Sequence, residues 1–447
     1  MTLRNKFRVG VLLFGDILAL YLALFITLGL RYNEDFYSQF TDIHLLPFSI
    51  IFPLWILIFY IAGLYDFRRL RNNIEFLKIL SVAVLINTIL TVAFFYLIPV
   101  FGIAPKTNLF AFLAFFAVLE AYWRRLFNRV TTTAEPLSRI VVVGKGAEAE
   151  TVMKFLGENP QLGYTVSAWL KEETMPAHLA AIADWKKFIG AHNIDLIVVP
   201  AHFKKASDLN KLLYQLLAAG VRVEDLPVFY ETVFRRVPLS LLSEEWFLEK
   251  IPATNTIYDG LKRAAELAIA LVLQIILLPL ELLFALFILL TSPGPVIYSQ
   301  ARIGKYGEAF TLYKFRTMRM DAEKDGARWA AEHDDRTTAI GSFLRRSHLD
   351  ELPQLVNIIK GELSFVGPRP ERPEFTGDLS RTVPYYDIRH LVKPGVTGWA
   401  QINYRYGASV EDAYEKLQYD IYYLKNRSLI LDLAIILKTL KSFFVKS

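Results

Sequence analysis

Long apolar runs come first. Val9–Leu30, Leu45–Leu64 and Ile79–Phe101 each have the ~20 residues a helix needs to cross a ~30 Å hydrocarbon core, and Leu109–Trp123 is shorter. The polar stretches between them alternate in charge. Arg4, Lys6 and Arg8 precede the first run, and Glu34, Asp35 and Asp42 outweigh Arg31 after it. Arg68, Arg69, Arg71 and Lys78 fill the second loop, Lys106 stands alone in the third, and Arg124, Arg125 and Arg129 follow the fourth run. The positive-inside rule then predicts four transmembrane helices over 1–130 with both ends cytoplasmic. A cleaved leader does not fit, because the first run is too long and no small-residue cleavage site follows it. Asp16 lies inside the first run, and the reading of the other runs gives it no ionisable partner, which favours helix packing over a transport path.

Past residue 137 the pattern turns soluble. Arg139–Val143 reads as a buried strand, followed by Gly144-Lys145-Gly146-Ala147-Glu148-Ala149 and a helical stretch to Leu156. Further strands are predicted at Tyr164–Leu170, Asp195–Pro200 and Val221–Asp225. This is a Rossmann-like α/β unit over 138–250, with a glycine turn of the kind that can receive a phosphate. No acidic residue stands about 20 positions on to hold a ribose; Glu172 comes late, in a charged turn. A packing turn with no nucleotide is therefore the preferred reading.

A fifth apolar run, Ala264–Leu290, is long enough to span, but both its flanks are basic. Lys262 and Arg263 precede it; Arg302, Lys305, Lys314, Arg316 and Arg319 follow. Pro279 sits near its middle between Gln274 and Glu281, where it removes a backbone donor and crowds the carbonyl of Ile275. A helix over 261–290 that enters one leaflet and returns to the same face satisfies these features; a proline-kinked spanning helix is the alternative.

Composition sharpens the class. The 447 residues are 53% hydrophobic and 21% charged, too apolar for a wholly soluble chain and too charged for one wholly in the bilayer. With no Cys there is no disulfide, zinc–thiolate site, iron–sulfur cluster or cysteine nucleophile, and no two His fall at the i, i+4 spacing of a helical metalloprotease pair. The net charge of +6 suits anionic lipid, phosphate-bearing substrates or nucleic acid. Basic and aromatic residues intermix at Arg302-Ile303-Gly304 and Tyr313-Lys314-Phe315-Arg316. Their place beside a membrane run selects lipid or a phosphorylated substrate, not nucleic acid.

Three clusters in the last third carry the chemistry. In Phe343-Leu344-Arg345-Arg346-Ser347-His348-Leu349-Asp350-Glu351-Leu352-Pro353-Gln354, apolar spacing predicts a helix beginning near Asp350, with Pro353 in its first turn. That puts Asp350 and Glu351 among free N–H groups at the positive end of a helix dipole. Adjacent carboxylates facing two arginines can also hold Mg²⁺ and a pyrophosphate. A solvated Asp-Glu pair on a capped surface helix is the bland alternative. In Gly367-Pro368-Arg369-Pro370 one Arg is held between two prolines, stiff and aimed at a phosphate. Lys393-Pro394-Gly395-Val396-Thr397-Gly398-Trp399-Ala400-Gln401-Ile402-Asn403, followed by Arg405, is a glycine-rich polar loop. The apolar tail Ser428–Phe444 reads as an interfacial helix.

The block from Ser292 to Leu440 resembles the catalytic domain of the bacterial sugar transferases, the monotopic phosphoglycosyl transferases. Four helices and a Rossmann-like middle make the whole chain similar to their large form, the undecaprenyl-phosphate glucose or galactose phosphotransferases. The motifs that carry the likeness are Lys314-Phe315-Arg316, Leu349-Asp350-Glu351-Leu352-Pro353-Gln354, Gly367-Pro368-Arg369-Pro370 and Lys393-Pro394-Gly395-Val396-Thr397-Gly398-Trp399. The family commonly has Thr-Ser before Leu-Asp-Glu, where this chain has Ser347-His348. The resemblance implies a multi-pass membrane protein of α plus α/β class in the bacterial inner membrane. It would have a four-helix bundle, a Rossmann-like domain and a mainly α catalytic domain over 255–447, the last two cytoplasmic. It also implies that the re-entrant helix breaks at Pro279, that Mg²⁺ is required, and that Asp350 is the nucleophile. The reaction so implied moves a sugar-1-phosphate from a UDP-sugar to undecaprenyl phosphate, releases UMP, and starts exopolysaccharide, O-antigen or capsule synthesis. Glu351, with Asp350, would hold the metal; Lys314, Arg316, Arg345, Arg369, Lys393 and Arg405 would contact phosphates. No motif reads a sugar's stereochemistry, and a homodimer is compatible with the sequence.

Two other classes stay open. Membrane nucleotide-sugar dehydratases share such a front half but need a Tyr-x-x-x-Lys pair in a second dinucleotide fold, and the only such spacing, Tyr258…Lys262, sits at the membrane run without its own glycine fingerprint. A membrane sensor built on the middle domain would leave the C-terminal motifs without a use.

Overall fold

The computed structural model describes residues 3–65, 74–97, 101, 107–133, 138–144, 146–170, 182–200, 214, 216, 220–251, 256–319, 322, 336–404, 407 and 409–444. The chain folds as two units, Met1–Thr232 and Val233–Ser447.

The first unit opens with four helices, α1 (Leu3–Tyr32), α2 (Leu45–Ala62), α3 (Ile74–Leu97) and α4 (Thr107–Thr133). They share one core, in which Leu20 and Leu24 of α1, Phe52 and Trp55 of α2, Ala83 of α3 and Phe116 of α4 are all buried. The indole of Trp55 meets Phe116 edge-on at 5.0 Å and donates to Thr91 Oγ1 at 2.8 Å. Their outer faces expose large apolar side chains such as Phe14, Leu85 and Phe110, as helices bathed in lipid do. Among the described residues, the stretches Phe7–Ala62, Phe76–Tyr96 and Thr256–Thr291 are long and apolar enough to cross a membrane.

Asp16 does have ionisable partners. It pairs with Arg124, accepts from Tyr65 at 2.7 Å and from the Trp123 indole at 3.1 Å; Arg124 also holds Glu120 at 2.8 Å and the carbonyl of Leu64 at 2.7 Å. The helix runs on past its apolar core, so Arg124 lies one turn from Glu120 and can turn inward, which the apolar run ending at Trp123 conceals.

The rest of this unit is a parallel sheet of order β2-β1-β3-β4, with β1 Ser138–Val143, β2 Tyr164–Leu170, β3 Leu196–Val199 and β4 Arg222–Asp225. β1 and β3 are near-continuous Val and Ile, buried on both faces as central parallel strands are. Helix α5 (Ala147–Glu158) follows the glycine turn and carries Glu148 and Glu150 in its first turn, so its positive end already has negative charge beside it. Lys145 and Glu172 lie outside the described residues.

The second unit is built along one long helix. α6 (Ile182–His192) belongs to the first unit and α7 (Leu226–Phe234) spans the boundary; α8 (Glu244–Lys250) follows, and then α9, which runs unbroken from Thr256 to Thr291 with Pro279 inside it. One face of α9 packs on the unit throughout. Ala270, Leu273 and Leu277 meet Leu312, Leu355 and Ile358, and Leu280, Phe284 and Ile288 meet Phe315, Leu344 and Leu349. The opposite face is bare: Ile275 is 74% exposed and Leu290 73%. A hairpin of β5 (Ile297–Ile303) and β6 (Ala309–Phe315) follows, then α10 (Ala339–Arg346) and α11 (Gln354–Lys360).

β7 (Ser364–Val366) pairs in parallel with β8 (Gly395–Thr397), with Ser364 opposite Gly395 and Val366 opposite Thr397. The Gly-Pro-Arg-Pro and Lys-Pro-Gly motifs, separate in sequence, are thus neighbours. Their glycines let the backbones touch, since a Cβ on Gly395 would lie 2.0 Å from the nitrogen of Gly367. Helices α12 (Pro373–Thr382), α13 (Trp399–Asn403), α14 (Val410–Asn426) and α15 (Leu429–Phe444) complete the unit. A capping box starts α14: Asp412 N donates to Ser409 Oγ and Ser409 N to Asp412 Oδ2. Val237, Leu239 and Phe247, in the span assigned from sequence to the middle domain, belong to this second core with Leu417 and Ile421.

Candidate active site

The dyad sits on a tight turn. Leu349–Glu351 forms a single 3-10 turn, and α11 begins only at Gln354 with Pro353 as its N-cap. The expected helix start at Asp350 is thus displaced by four residues. His348 takes a left-handed conformation (φ 55°), and this reversal carries the chain from α10 into the dyad. Asp350 is 8% exposed, and Glu351 is nearly as enclosed.

Two cations converge on Glu351. Lys314, on β6, brings Nζ to 2.8 Å from Oε1, and Arg369 brings Nη2 to 3.4 Å from the same oxygen. Burial alone would raise the Glu351 pKa. Lys314 and Arg369 overcome it and hold the carboxyl at about 2. Asp350 goes the other way: burial, with Glu351 adding to it, pushes its pKa above the ordinary carboxylate value against the pull of Lys314. Two neighbouring acids therefore differ in character, one firmly ionised and one harder to ionise.

The scaffold fixes both cations. Asn357 of α11, fully buried, donates to the carbonyl of Thr311 at 2.7 Å and accepts from the nitrogen of Tyr313 at 3.1 Å, locking α11 to β6 beside Lys314. The loop bearing Arg369 is gripped by its carbonyls. Lys262 Nζ donates to Val366 O at 2.8 Å, Gly395 N to Pro368 O at 2.9 Å, Arg389 Nη2 to Arg369 O at 3.0 Å, and Arg302 Nη1 to Pro370 O at 2.9 Å. Arg389 is itself buried, paired with Asp420 at 2.9 Å and donating to the Tyr386 hydroxyl at 2.7 Å. Burial pushes Asp420 up to about 6, against the pull of Arg389. No short motif marks Arg389 or Asp420; their role emerges only when α14 packs on the loop.

The other sequence-derived residues divide. Arg345 lies close enough to Asp350 to favour its ionised form, with its guanidinium donating to Thr317 Oγ1 at 3.0 Å and Thr337 Oγ1 at 3.3 Å. Arg316 is 6% exposed and donates to the carbonyls of Pro293 at 3.0 Å and Ser292 at 2.6 Å. It braces the turn that ends α9, a scaffold use where substrate contact was expected. Lys393 stands at the opposite end of α11 from the dyad, beside Gly361. Arg405 lies outside the described residues. Tyr258 and Lys262 do meet, at 3.3 Å, but within a closed knot: Lys262 also binds Asp432 at 2.9 Å and Tyr423 at 2.8 Å. That engages the Tyr-x-x-x-Lys pair in packing.

Mg²⁺ takes one or two carboxylates and completes its octahedron with substrate phosphates and water. Asp350 and Glu351 side by side fit that share. Among the described residues no group of three or more His, Asp or Glu offers a protein-only cage.

The pattern of the family described as bacterial sugar transferase matches residues 257–446. Along nearly its whole length the chain is similar to a UDP-glucose:undecaprenyl-phosphate glucose-1-phosphate transferase of Klebsiella pneumoniae, 28% identical over 97% of this chain and 95% of that one. The enzyme of the same name from Escherichia coli K12 is 30% identical over 68% of each chain. A UDP-N-acetylgalactosamine-undecaprenyl-phosphate N-acetylgalactosaminephosphotransferase of Aeromonas hydrophila is 36% identical over 58% of this chain and 60% of that protein.

Proposed function

The chain belongs to the bacterial sugar transferases, and from that premise we propose that it moves a sugar-1-phosphate from a UDP-sugar to undecaprenyl phosphate, releasing UMP. The observation that carries the reading is the dyad: an ionised Glu351 clamped by Lys314 and Arg369 beside a buried Asp350. In this reading a carboxylate oxygen of Asp350 attacks the phosphorus that bears the sugar, and the bond to the UMP oxygen breaks. An oxygen of the polyprenyl phosphate then attacks the same phosphorus and frees Asp350. Splitting one displacement between two anions into two steps is the gain of a covalent route. Arg369 and Arg345 position phosphate oxygens, and Lys314 keeps the dyad ionised. Mg²⁺, held by Asp350 and Glu351, would neutralise diphosphate charge when bound.

The membrane arrangement follows the same logic. We read α1–α4 as spanning the inner membrane and α9 as entering it from the cytoplasmic face and returning. Support comes from α9 itself, packed on one charged unit near both ends, so a full crossing would drag that unit into lipid. Pro279, which deprives Ile275 of its donor, is where such a helix bends. A soluble nucleotide sugar and a lipid-borne phosphate then meet at headgroup level. Among sugars, glucose and galactose come first, and exopolysaccharide, O-antigen or capsule assembly is the pathway class. The test is UMP release by the purified full-length chain from a panel of UDP-sugars with undecaprenyl phosphate and Mg²⁺. Release with one or more sugars supports the reading; no release with any overturns it.

A further inference from the structure

At the far end of α11 three cations gather without a counter-ion. A methyl group built on Gly361, which ends α11 with φ 87°, would have Arg263 Nη2 at 3.2 Å and Lys393 Nζ at 3.3 Å. Lys305, on the turn between β5 and β6, is the third; burial lowers the Lys393 pKa, and Arg263 and Lys305 add to this against the opposite pull of Glu266 and Asp259. All three are half-buried. The nearby carboxylates are engaged elsewhere: Lys262 takes Glu266 and Asp432, and Arg427 takes Asp259. No ion pair joins Arg263, Lys393 or Lys305 to a carboxylate among the described residues.

Complementing the end of α11 does not account for this. Arg263 alone donates to the carbonyls of Ile358 and Ile359 at 2.6 and 2.7 Å, which serves the negative end of the dipole. Lys393 and Lys305 add further positive charge, and the carboxylates that act on Lys393, Glu266 and Asp259, are each ion-paired with another cation, so the cluster keeps room for an anion. Their position says where it comes from. Arg263 immediately precedes the apolar stretch of α9, and Tyr306 next to Lys305 is 62% exposed. Cations at the end of an apolar helix, with an exposed tyrosine next to one of them, are what a protein presents to lipid headgroups.

We infer that Arg263, Lys393 and Lys305 form a second anion site that holds a lipid-borne phosphate at the foot of the membrane helix. The ten residues from Glu351 to Gly361, at ~1.5 Å each, put it about 15 Å from the dyad along the axis of α11. A phosphate held there is therefore docked beside the reaction and not in it. The site rests on the transferase reading only where the lipid is the polyprenyl phosphate; an anionic phospholipid offers the same chemistry.

The full-length chain and its Lys305→Gln/Lys393→Gln variant, in discs of phosphatidylcholine, separate these sources. Native mass spectrometry would measure retained undecaprenyl phosphate, undecaprenol and phosphatidylglycerol. At about fivefold per charge near a membrane surface, the double variant should retain at least tenfold less of a phosphate-bearing lipid, with undecaprenol unchanged. Loss of undecaprenyl phosphate makes the site an acceptor-docking site, and loss of phosphatidylglycerol makes it an anchor. Lys393→Arg should bind as the parent does. Wild-type retention of both phosphate lipids by the double variant would overturn the inference. So would slower adduct formation from UDP-sugar with lipid binding unchanged, since that assigns the cations to the donor. A failure of the transferase reading shows separately, as no adduct in the parent chain, and leaves the lipid measurement intact.

Discussion

At the scale of residues, the dyad is a pair of unlike acids, and their difference sets a pH signature. If Asp350 is the nucleophile, as proposed, it must be ionised to attack, and with its pKa raised by burial the rate of the first step should be lost as pH falls through a value above the ordinary carboxylate range. Lys314→Met removes the cation that most favours the ionised form. The acid limb of single-turnover adduct formation should then move to higher pH; a limb that stays in place would separate Lys314 from Asp350. Glu351→Gln should instead lower the rate and raise the Mg²⁺ needed for half-maximal activity, because a ligand is weakened while the nucleophile survives. That these groups are candidates is legible in sequence, since Asp-Glu, Lys-Phe-Arg and Pro-Arg-Pro are local, and the structure brings Lys314 and Arg369 to Glu351. The division of labour among the cations is not legible. Whether a lysine or arginine faces substrate, a carbonyl or another cation depends on contacts from elements tens to hundreds of residues away, as Arg316 and Lys393 show.

At the scale of elements, the site depends on a loop held by its carbonyls. Arg389→Gln should leave Asp420 buried beside a weaker partner and release Arg369, destabilising the unit by about 3–5 kcal/mol. Adding Asp420→Asn should recover much of that stability in thermal unfolding, because no unpaired charge remains. It should not recover the hold on the carbonyl of Arg369, so the KM for the UDP-sugar should stay raised about tenfold, the loss expected for one charge-assisted hydrogen bond. A double variant with parental KM would remove Arg389 from the positioning of Arg369. The strands of the middle domain were legible because buried parallel strands are unbroken runs of β-branched residues, as in Ile140-Val141-Val142-Val143. The dyad turn was misread by four residues because Pro353 suits a first helical turn and an N-cap alike, and the left-handed turn at His348 has no glycine to announce it.

At the scale of the whole molecule, the account places both ends of α9 on one side of the membrane. The chain has no Cys, so single cysteines at Gly260 and Glu308 report cleanly. In intact cells neither Gly260→Cys nor Glu308→Cys should react with an impermeant reagent, and both should react after permeabilisation. Labelling of Glu308→Cys alone from outside would mean that α9 crosses. The proposed topology rests on the charge flanks; the boundary before it was not legible, since Val237–Ile251 gives its apolar residues to a core completed almost 200 positions later. The central claim is that Asp350 carries the sugar phosphate between donor and acceptor. Intact-mass and peptide analysis of the full-length chain with UDP-sugar and Mg²⁺, without polyprenyl phosphate, tests it most directly. The account predicts one added sugar-phosphate on the peptide containing Asp350, discharged when undecaprenyl phosphate is supplied and absent from Asp350→Asn, whose turnover should fall by roughly 10³-fold or more. An adduct on another residue, or an Asp350→Asn chain that turns over at the parental rate, would contradict it.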